Sequence, residues 1–333
     1  AVGYQSLYSN VTNNNTGLGW KAGYAITTGA QNTAVGHAAL TATTTGTTNT
    51  ATGFTALTSN TTGASNTAYG NEALQNNTTA SSNTAVGYQS MYSNTTGGVN
   101  TAFGQQALRA NTTAFNNSAF GSAALIVNTT GAYNTAIGAQ ALVSNTTASS
   151  NTAVGYQAGY SNTTGAGLTA VGNLALYSNT TGGYNSAFGP GALQNTTTGS
   201  ENSSFGFWSL LTNTTGSKNT AFGNEALRFS TTAAYNTAVG YQALKQSTTA
   251  QFNSVFGYQA GLGTFTAGSN TFVGAFAGYQ STGTGNTFVG GLGASNGSGE
   301  LMTTGSKNTI LGAFSGNQGG LDTRTANNYV VLS

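Results

Sequence analysis

The side chains that could perform acid–base chemistry or bind a metal are few in this 333-residue sequence. It holds no cysteine, one histidine and five carboxylates. Glycoside hydrolysis needs two carboxyl groups within roughly 10 Å of each other, and a zinc site needs clustered ligands. The sequence contains neither arrangement, so we expect no enzyme, no metal site and no cofactor. The residues concerned are His37, Glu72, Glu201, Glu225, Glu300 and Asp322.

Spacing gives two further expectations for these residues. Glu72 and Glu225 occupy the same position of an internal repeat but are nine repeats apart, or roughly 43 Å at about 4.8 Å per repeat. His37 falls at a variable position, which indicates a solvated or stacked ring. Glu201 and Lys218 are one repeat apart, so we expect them to pair across adjacent coils, contributing about 0–1 kcal/mol.

Composition excludes several classes of protein. Only 4% of the residues are charged and the net charge is +2, which is too weak a balance to indicate a nucleic-acid partner. No run of 18 apolar residues is present, so we expect no membrane insertion. An aromatic content of 10% and regularly placed apolar residues argue against disorder.

A 17-residue repeat organises the chain, and a missed repeat would give the wrong fold. Its consensus is N-T-A-[VFI]-G-[YFN]-Q-A-L-x-x-N-T-T-G-x-x, which we number 1 to 17 from the first Asn. Glycine at position 5 indicates a positive φ or a close backbone approach. We expect these glycines to form a structural column: Gly36, Gly53, Gly70, Gly87, Gly104, Gly121, Gly138, Gly155, Gly172, Gly189, Gly206, Gly223, Gly240, Gly257 and Gly274.

The repeat predicts an all-β fold, a parallel β-solenoid (β-roll) with one 17-residue coil per repeat. Thr, Val, Phe and Tyr between Gly and Asn favour short strands, which we expect around positions 2–5 and 7–10, with the NTTG word as the return turn. Neighbouring strand residues point to opposite faces. Small position 3 and apolar position 4 therefore cannot share one core.

A second apolar stripe would lie exposed along a thin coil, and such stripes usually mark interfaces. The sequence therefore predicts self-association as a homotrimer, with chains intertwined or side by side. The alternative is a wider single-chain solenoid whose interior accepts both stripes.

Asn at position 12 predicts an amide ladder, because stacked coils place identical side chains above one another. The same NTT words are formal N-glycosylation acceptors. The Thr residues that follow suggest a further alternative, an ice-binding surface, although the adjacent pair before Gly indicates a turn. The predicted ladder comprises Asn60, Asn77, Asn94, Asn111, Asn128, Asn145, Asn162 and Asn179.

The regularity of the repeat divides the chain into two parts. Residues 1–257 are predicted to form a regular shaft, and residues 258–333 hold variant repeats with a longer loop before residue Gly312. The chain opens inside a repeat word, so we interpret it as a piece of a longer protein, with a C-terminal domain expected beyond residue 333.

The words beginning NTAVGYQ at residues 83, 151 and 236 resemble the repeats of the YadA-like head of trimeric autotransporter adhesins. That family forms a trimeric, left-handed parallel β-roll, but its repeat is shorter. The longer word with SNTTG is more similar to repeats of phage tail fibres and related bacterial fibre proteins. The ending NNYVVLS resembles the segment that often precedes an intramolecular chaperone domain in such fibres.

The resemblance implies a structural fibre shaft or stalk of a tail fibre or surface adhesin that mediates attachment to a host or surface. Its location would be extracellular, on a virion or a cell. Its partners would be further copies of itself and a host-surface glycan or receptor. The alternatives are an ice-binding solenoid or direct glycan binding by exposed rings, for which the candidates are Tyr88, Tyr156, Tyr241 and Tyr258.

Overall fold

The computed structural model describes residues 1–263, 266–291 and 297–333. Within these ranges the regular elements are short strands, and no helix occurs. The strands are β1 (Thr16–Leu18), β2 (Thr33–Val35), β3 (Thr50–Thr52), β4 (Thr67–Tyr69), β5 (Thr84–Val86), β6 (Thr101–Phe103), β7 (Ser118–Phe120), β8 (Thr135–Ile137), β9 (Thr152–Val154), β10 (Thr169–Val171), β11 (Ser186–Phe188), β12 (Ser203–Phe205), β13 (Thr220–Phe222), β14 (Thr237–Val239), β15 (Ser254–Phe256), β16 (Thr271–Val273), β17 (Thr287–Val289), β18 (Thr309–Leu311), β19 (Asn317–Gln318), β20 (Leu321–Asp322) and β21 (Val330–Leu332).

The chain divides into two compact units, Ala1–Gly167 and Leu168–Ser333. In the first unit β1 to β9 pair in parallel and in register, so that Thr84 lies opposite Thr101 one coil later. In the second unit β10 to β18 and then β21 pair in the same way. The predicted all-β parallel solenoid with 17-residue coils is confirmed.

The interior of a coil is filled by positions 1, 3, 8, 9 and 12. In the coil that begins at Asn83, the side chains of Ala85, Met91 and Asn94 are completely buried. Val86, the neighbour of Ala85 in β5, is only partly buried. The predicted opposition of positions 3 and 4 is therefore confirmed, because the strand alternates between inside and outside.

The predicted second strand, at positions 7–10, is wrong. This segment forms turns, with left-handed backbones at positions 7 and 9, such as Gln89 (φ 53°) and Met91 (φ 48°). The Gln89 N–H donates to the carbonyl of Asn71 in the preceding coil, whereas the Met91 N–H donates to Ala107 in the following coil. The left-handed residues break the strand alternation, so positions 8 and 9 both point inward.

Near the end of the second unit the coils are less regular. Register steps of 22 and 21 residues separate Thr287 from Thr309 and Thr309 from Val330. The antiparallel pair β19–β20 forms a hairpin. The boundary predicted at 257/258 rests on repeat regularity and stays a prediction, and part of its longer loop, residues 292–296, lies outside the described residues.

Candidate functional site

The glycine column is a set of close contacts between coils. All fifteen glycines named above have φ between 124° and 148°, a region that side chains with a Cβ rarely adopt. A Cβ added to Gly87 would lie 2.6 Å from the carbonyl oxygen of Gly104 in the next coil. Position 5 is therefore restricted twice, by its conformation and by the backbone beside it.

The Asn column at position 12 forms a buried hydrogen-bond ladder in the first unit. Asn94 Nδ2 donates to Asn77 Oδ1 at 2.8 Å and to the carbonyl of Gly97, in its own coil, at 2.9 Å. The same pattern runs from Asn77 to Asn162. In the second unit the Asn179 amide donates to Gly182.

The Asn at position 1 adds a second internal ladder. The Asn83 backbone N–H donates to Asn66 Oδ1 at 3.0 Å, and Asn83 Nδ2 donates to the Gly97 carbonyl at 3.0 Å. That carbonyl therefore accepts from both Asn columns. Because the amides at position 12 are buried, the folded coil does not offer the Asn of the NTT words that begin there for glycosylation. Asn195 begins an NTT word at position 11 and is exposed.

The two Thr positions of the NTT word differ in role. At position 13 the hydroxyl donates to the same position of the next coil, as from Thr95 to the Thr112 carbonyl at 3.1 Å. At position 14 the side chain is exposed. We call this exposed set the Thr column: Thr28, Thr45, Thr62, Thr79, Thr96, Thr113, Thr130, Thr147, Thr164, Thr181, Thr198, Thr215, Thr232 and Thr249.

Most exposed large apolar side chains lie at position 4, the last residue of the strand, and at positions 6 and 17, which flank the strand in the chain. We call these three positions the strand-side surface. At position 4 the Phe188 and Phe205 rings stack at 4.8 Å, and Phe205 and Phe222 follow at 5.7 Å. The exposed members include Leu18, Tyr69, Phe103, Phe120, Ile137, Phe222 and Phe256 at position 4, Trp20, Phe54, Phe207 and Tyr241 at position 6, and Val99, Tyr133, Tyr184, Tyr235 and Phe252 at position 17.

Position 6 also holds His37 and the tyrosines proposed for glycan stacking. The His37 ring stacks between Trp20 and Phe54, at 4.4 and 5.1 Å, so the expectation of a stacked histidine is confirmed. Tyr241 and Tyr258 stack on each other at 5.3 Å, which occupies one face of each ring. All four candidate tyrosines, Tyr88, Tyr156, Tyr241 and Tyr258, are exposed.

The expected Glu201–Lys218 pair is not among the ion pairs of the described residues. The Lys218 ammonium lies instead 5.4 Å from the ring centre of Tyr235, the position-17 residue of the next coil. An aromatic face within reach thus takes the place of the expected carboxylate.

A charge cluster that the sequence reasoning missed lies at positions 7 and 10 of the second unit. Glu225 accepts from Arg228 at 2.5 Å and from Lys245 and Gln242 at 2.7 Å each. Burial raises the pKa of the Glu225 carboxyl, but the hydrogen bonds from Lys245 and Gln242 and both positive charges outweigh it, so the pKa is lowered. The sequence signal is a separation of 20 residues between Glu225 and Lys245, one coil plus three.

The described residues contain neither a cluster of three potential metal-binding side chains nor a helix that could cross a membrane. No known protein family and no curated protein matches the chain.

Proposed function

We propose that this chain is the shaft of an extracellular fibre, a stalk of a phage tail fibre or a cell-surface adhesin. Its role is mechanical: it holds attachment domains away from the virion or cell. The proposal rests on one observation, the uneven distribution of exposed side chains around the coil. Apolar side chains concentrate on the strand-side surface, whereas positions 13 and 14 carry Thr in every coil from Thr27 to Thr249.

An apolar stripe along successive coils favours burial against another chain. The occupant that fits best is a second copy of the same chain, because rings such as Phe188, Phe205 and Phe222 recur at the coil spacing. A copy aligned in parallel would present matching rings at the same spacing. Three copies around an axis, the number that the resemblance implies, would leave the Thr column facing solvent.

Light scattering of the full chain tests this proposal. We expect a mass near three times 33.2 kDa at micromolar concentration. The triple variant Phe188→Thr, Phe205→Thr and Phe222→Thr removes three adjacent rings while keeping side chains that favour strands, and we expect it to shift the population toward monomer. A control with Thr181→Asn, Thr198→Asn and Thr215→Asn should keep the wild-type mass. A monomeric wild-type chain would refute the proposal.

Direct glycan binding is a second candidate, supported by the exposure of Tyr88 and Tyr156 at position 6. A sugar ring can stack on such a face, as ring-shaped ligands do on aromatic side chains. If the chain binds glycans through these rings, a double Tyr88→Ala and Tyr156→Ala variant should bind more weakly to a glycan array than the wild-type chain. Equal retention of wild type and variant would remove it.

Ice binding is a third candidate, supported by the exposed Thr column. Its weakness is geometric, because the neighbouring Thr at position 13 uses its hydroxyl inside the fold. Replacing Thr96, Thr113 and Thr130 with Tyr should abolish any inhibition of ice recrystallisation. A wild-type chain without such inhibition would dismiss this candidate.

A further inference from the structure

The position-12 column changes in the second unit, where Asn213 is followed one and two coils later by Ser230 and Ser247. All three side chains are completely buried. In the first unit an Asn at this position makes two donations. Asn111 Nδ2, for example, donates to Asn94 Oδ1 at 2.7 Å and to the Ala114 carbonyl at 3.1 Å.

Serine cannot reproduce these donations, and three polar atoms are left without a protein partner. They are Asn213 Oδ1, Ser230 Oγ and Ser247 Oγ. An unpaired buried polar group destabilises the folded state, so three in consecutive coils indicate a missing partner.

The backbone carbonyls at position 15 also have one hydrogen-bond donor fewer in the serine coils. In a regular coil this carbonyl accepts from both Asn columns, as at Gly97 from Asn83 and Asn94. In the serine coils the position-1 amides still donate, from Asn219 to Ala233 at 2.8 Å and from Asn236 to Ala250 at 2.9 Å. The donor from position 12 is lost with the amide.

We propose that the coils of Ser230 and Ser247 each bind one ordered water in place of the missing amide. The first water donates to Asn213 Oδ1 and the Ala233 carbonyl and accepts from the Ser230 hydroxyl. The second donates to Ser230 Oγ and the Ala250 carbonyl and accepts from the Ser247 hydroxyl. Each water makes three hydrogen bonds, the usual number for a buried water.

Size and a comparison within the same column support this assignment. Serine is smaller than asparagine by nearly the volume of one water molecule, about 30 Å³. At Thr43 the hydroxyl donates to the Asn60 carbonyl at 3.0 Å and accepts from Asn60 Nδ2 at 3.3 Å. The preceding coil holds Ile26 at this position, so Thr43 leaves no amide oxygen without a donor. Ser230 instead follows Asn213, whose Oδ1 has no protein donor, and Ser247 follows Ser230, whose Oγ has none.

A crystal structure of the full chain at near-atomic resolution tests the proposal, which does not depend on the proposed function. We expect a water peak within hydrogen-bonding distance of Asn213 Oδ1, Ser230 Oγ and the Ala233 carbonyl, and a second beside Ser247. In a Ser230→Asn variant the first peak should be replaced by the amide, while the second remains. Serine hydroxyls bonded directly to protein atoms, with no peak at either place, would overturn it.

A matched variant in the first unit makes the opposite substitution, of asparagine by serine. Asn111→Ser should gain a water between Asn94 Oδ1 and the Ala114 carbonyl. In solution, oxygen-17 relaxation dispersion should count two fewer long-lived waters per chain in the Ser230→Asn, Ser247→Asn double variant than in wild type. An unchanged count would contradict the proposal even if no variant crystallises.

Discussion

The interiors of the two units differ at repeat position 12. From Asn60 to Asn162 the first unit has an unbroken amide ladder at position 12, whereas Thr196, Ser230 and Ser247 interrupt the Asn column in the second. The strands, the glycine column and the position-13 hydrogen bonds are the same in both stretches. The backbone thus defines the coil, and the buried Asn amides donate hydrogen bonds to carbonyl groups that have no backbone partner, such as that of Gly97.

The largest effect should come from a feature that both stretches share. Gly138 has φ 133° and Gly223 has φ 138°, and an added Cβ would meet the carbonyl of Gly155 or Gly240. Valine at such a φ costs on the order of 1–3 kcal/mol from backbone strain alone, and the clash adds to it. We expect Gly138→Val and Gly223→Val to lower the thermal midpoint by similar amounts.

Thr147→Ser, at an exposed position of the coil of Gly138, serves as the control and should melt with wild type. If Gly223→Val is nearly silent while Gly138→Val is not, the two stretches do not share this restriction.

The ladder itself separates the stretches. Asn111→Ala leaves Asn94 Oδ1 without its donor and removes one donor to the Ala114 carbonyl. We expect the free energy of unfolding to fall by about 1–3 kcal/mol. Ser230→Ala removes a hydroxyl without a protein partner, and we expect a loss of about 1 kcal/mol or less. Chemical denaturation of both variants measures the difference, and equal losses would show that the unbroken ladder has no special role.

The position-13 hydroxyls should give matching, smaller effects. Thr146 Oγ1 donates to the Thr163 carbonyl and Thr231 Oγ1 to the Thr248 carbonyl, at 3.2 Å each. Replacing either Thr with Val keeps the shape and removes one hydrogen bond, which is worth about 1 kcal/mol. Denaturation midpoints should fall equally in the two variants. Clearly different losses in the two variants would show that this hydrogen bond does not stabilise the two units equally.

The smallest effect concerns the charge cluster of the second unit. The pKa of Glu225 is lowered in the folded chain, so its ion pairs stabilise the fold above the ordinary carboxyl pKa of about 4.3. This stabilisation is lost as pH falls through the lowered folded pKa. We expect Glu225→Gln to cost about 1 kcal/mol or less at pH 7 and to approach wild type at strongly acidic pH.

The same substitution in a Lys245→Gln background should cost less, because one of the two cations that Glu225 binds is gone. A pH-independent difference between wild type and Glu225→Gln would show that the Glu225 charge does not contribute.

Much of the coil could be predicted from the sequence because the repeat makes identical residues stack. The recurrence of glycine at position 5 gave the coil length, and Ala85 beside Val86 gave the inward and outward faces. The turn at positions 7–10 could not be predicted, since Gln89 and Met91 are not residue types that favour a left-handed backbone. In a strand, the neighbouring residues at positions 8 and 9 would face opposite sides, whereas in the turn both point inward.

The polar contacts were harder to predict than the backbone. Glu225 and Lys245 are one coil plus three residues apart, a separation that a search at multiples of 17 does not find. The interruption at Ser230 and Ser247 was visible as a break in the Asn column. Its consequence depends on the Asn213 and Ala233 oxygens, which only the folded coil brings beside the serines.

The central claim, that the strand-side surface joins copies of this chain into a fibre shaft, is tested most directly by a cryo-electron microscopy structure of the assembled protein. We predict three parallel chains, with Phe103, Phe188 and Tyr235 buried between them and the Thr column facing solvent. A single chain per particle, or copies that meet through Thr96 and its equivalents while the strand-side surface stays exposed, would contradict the account.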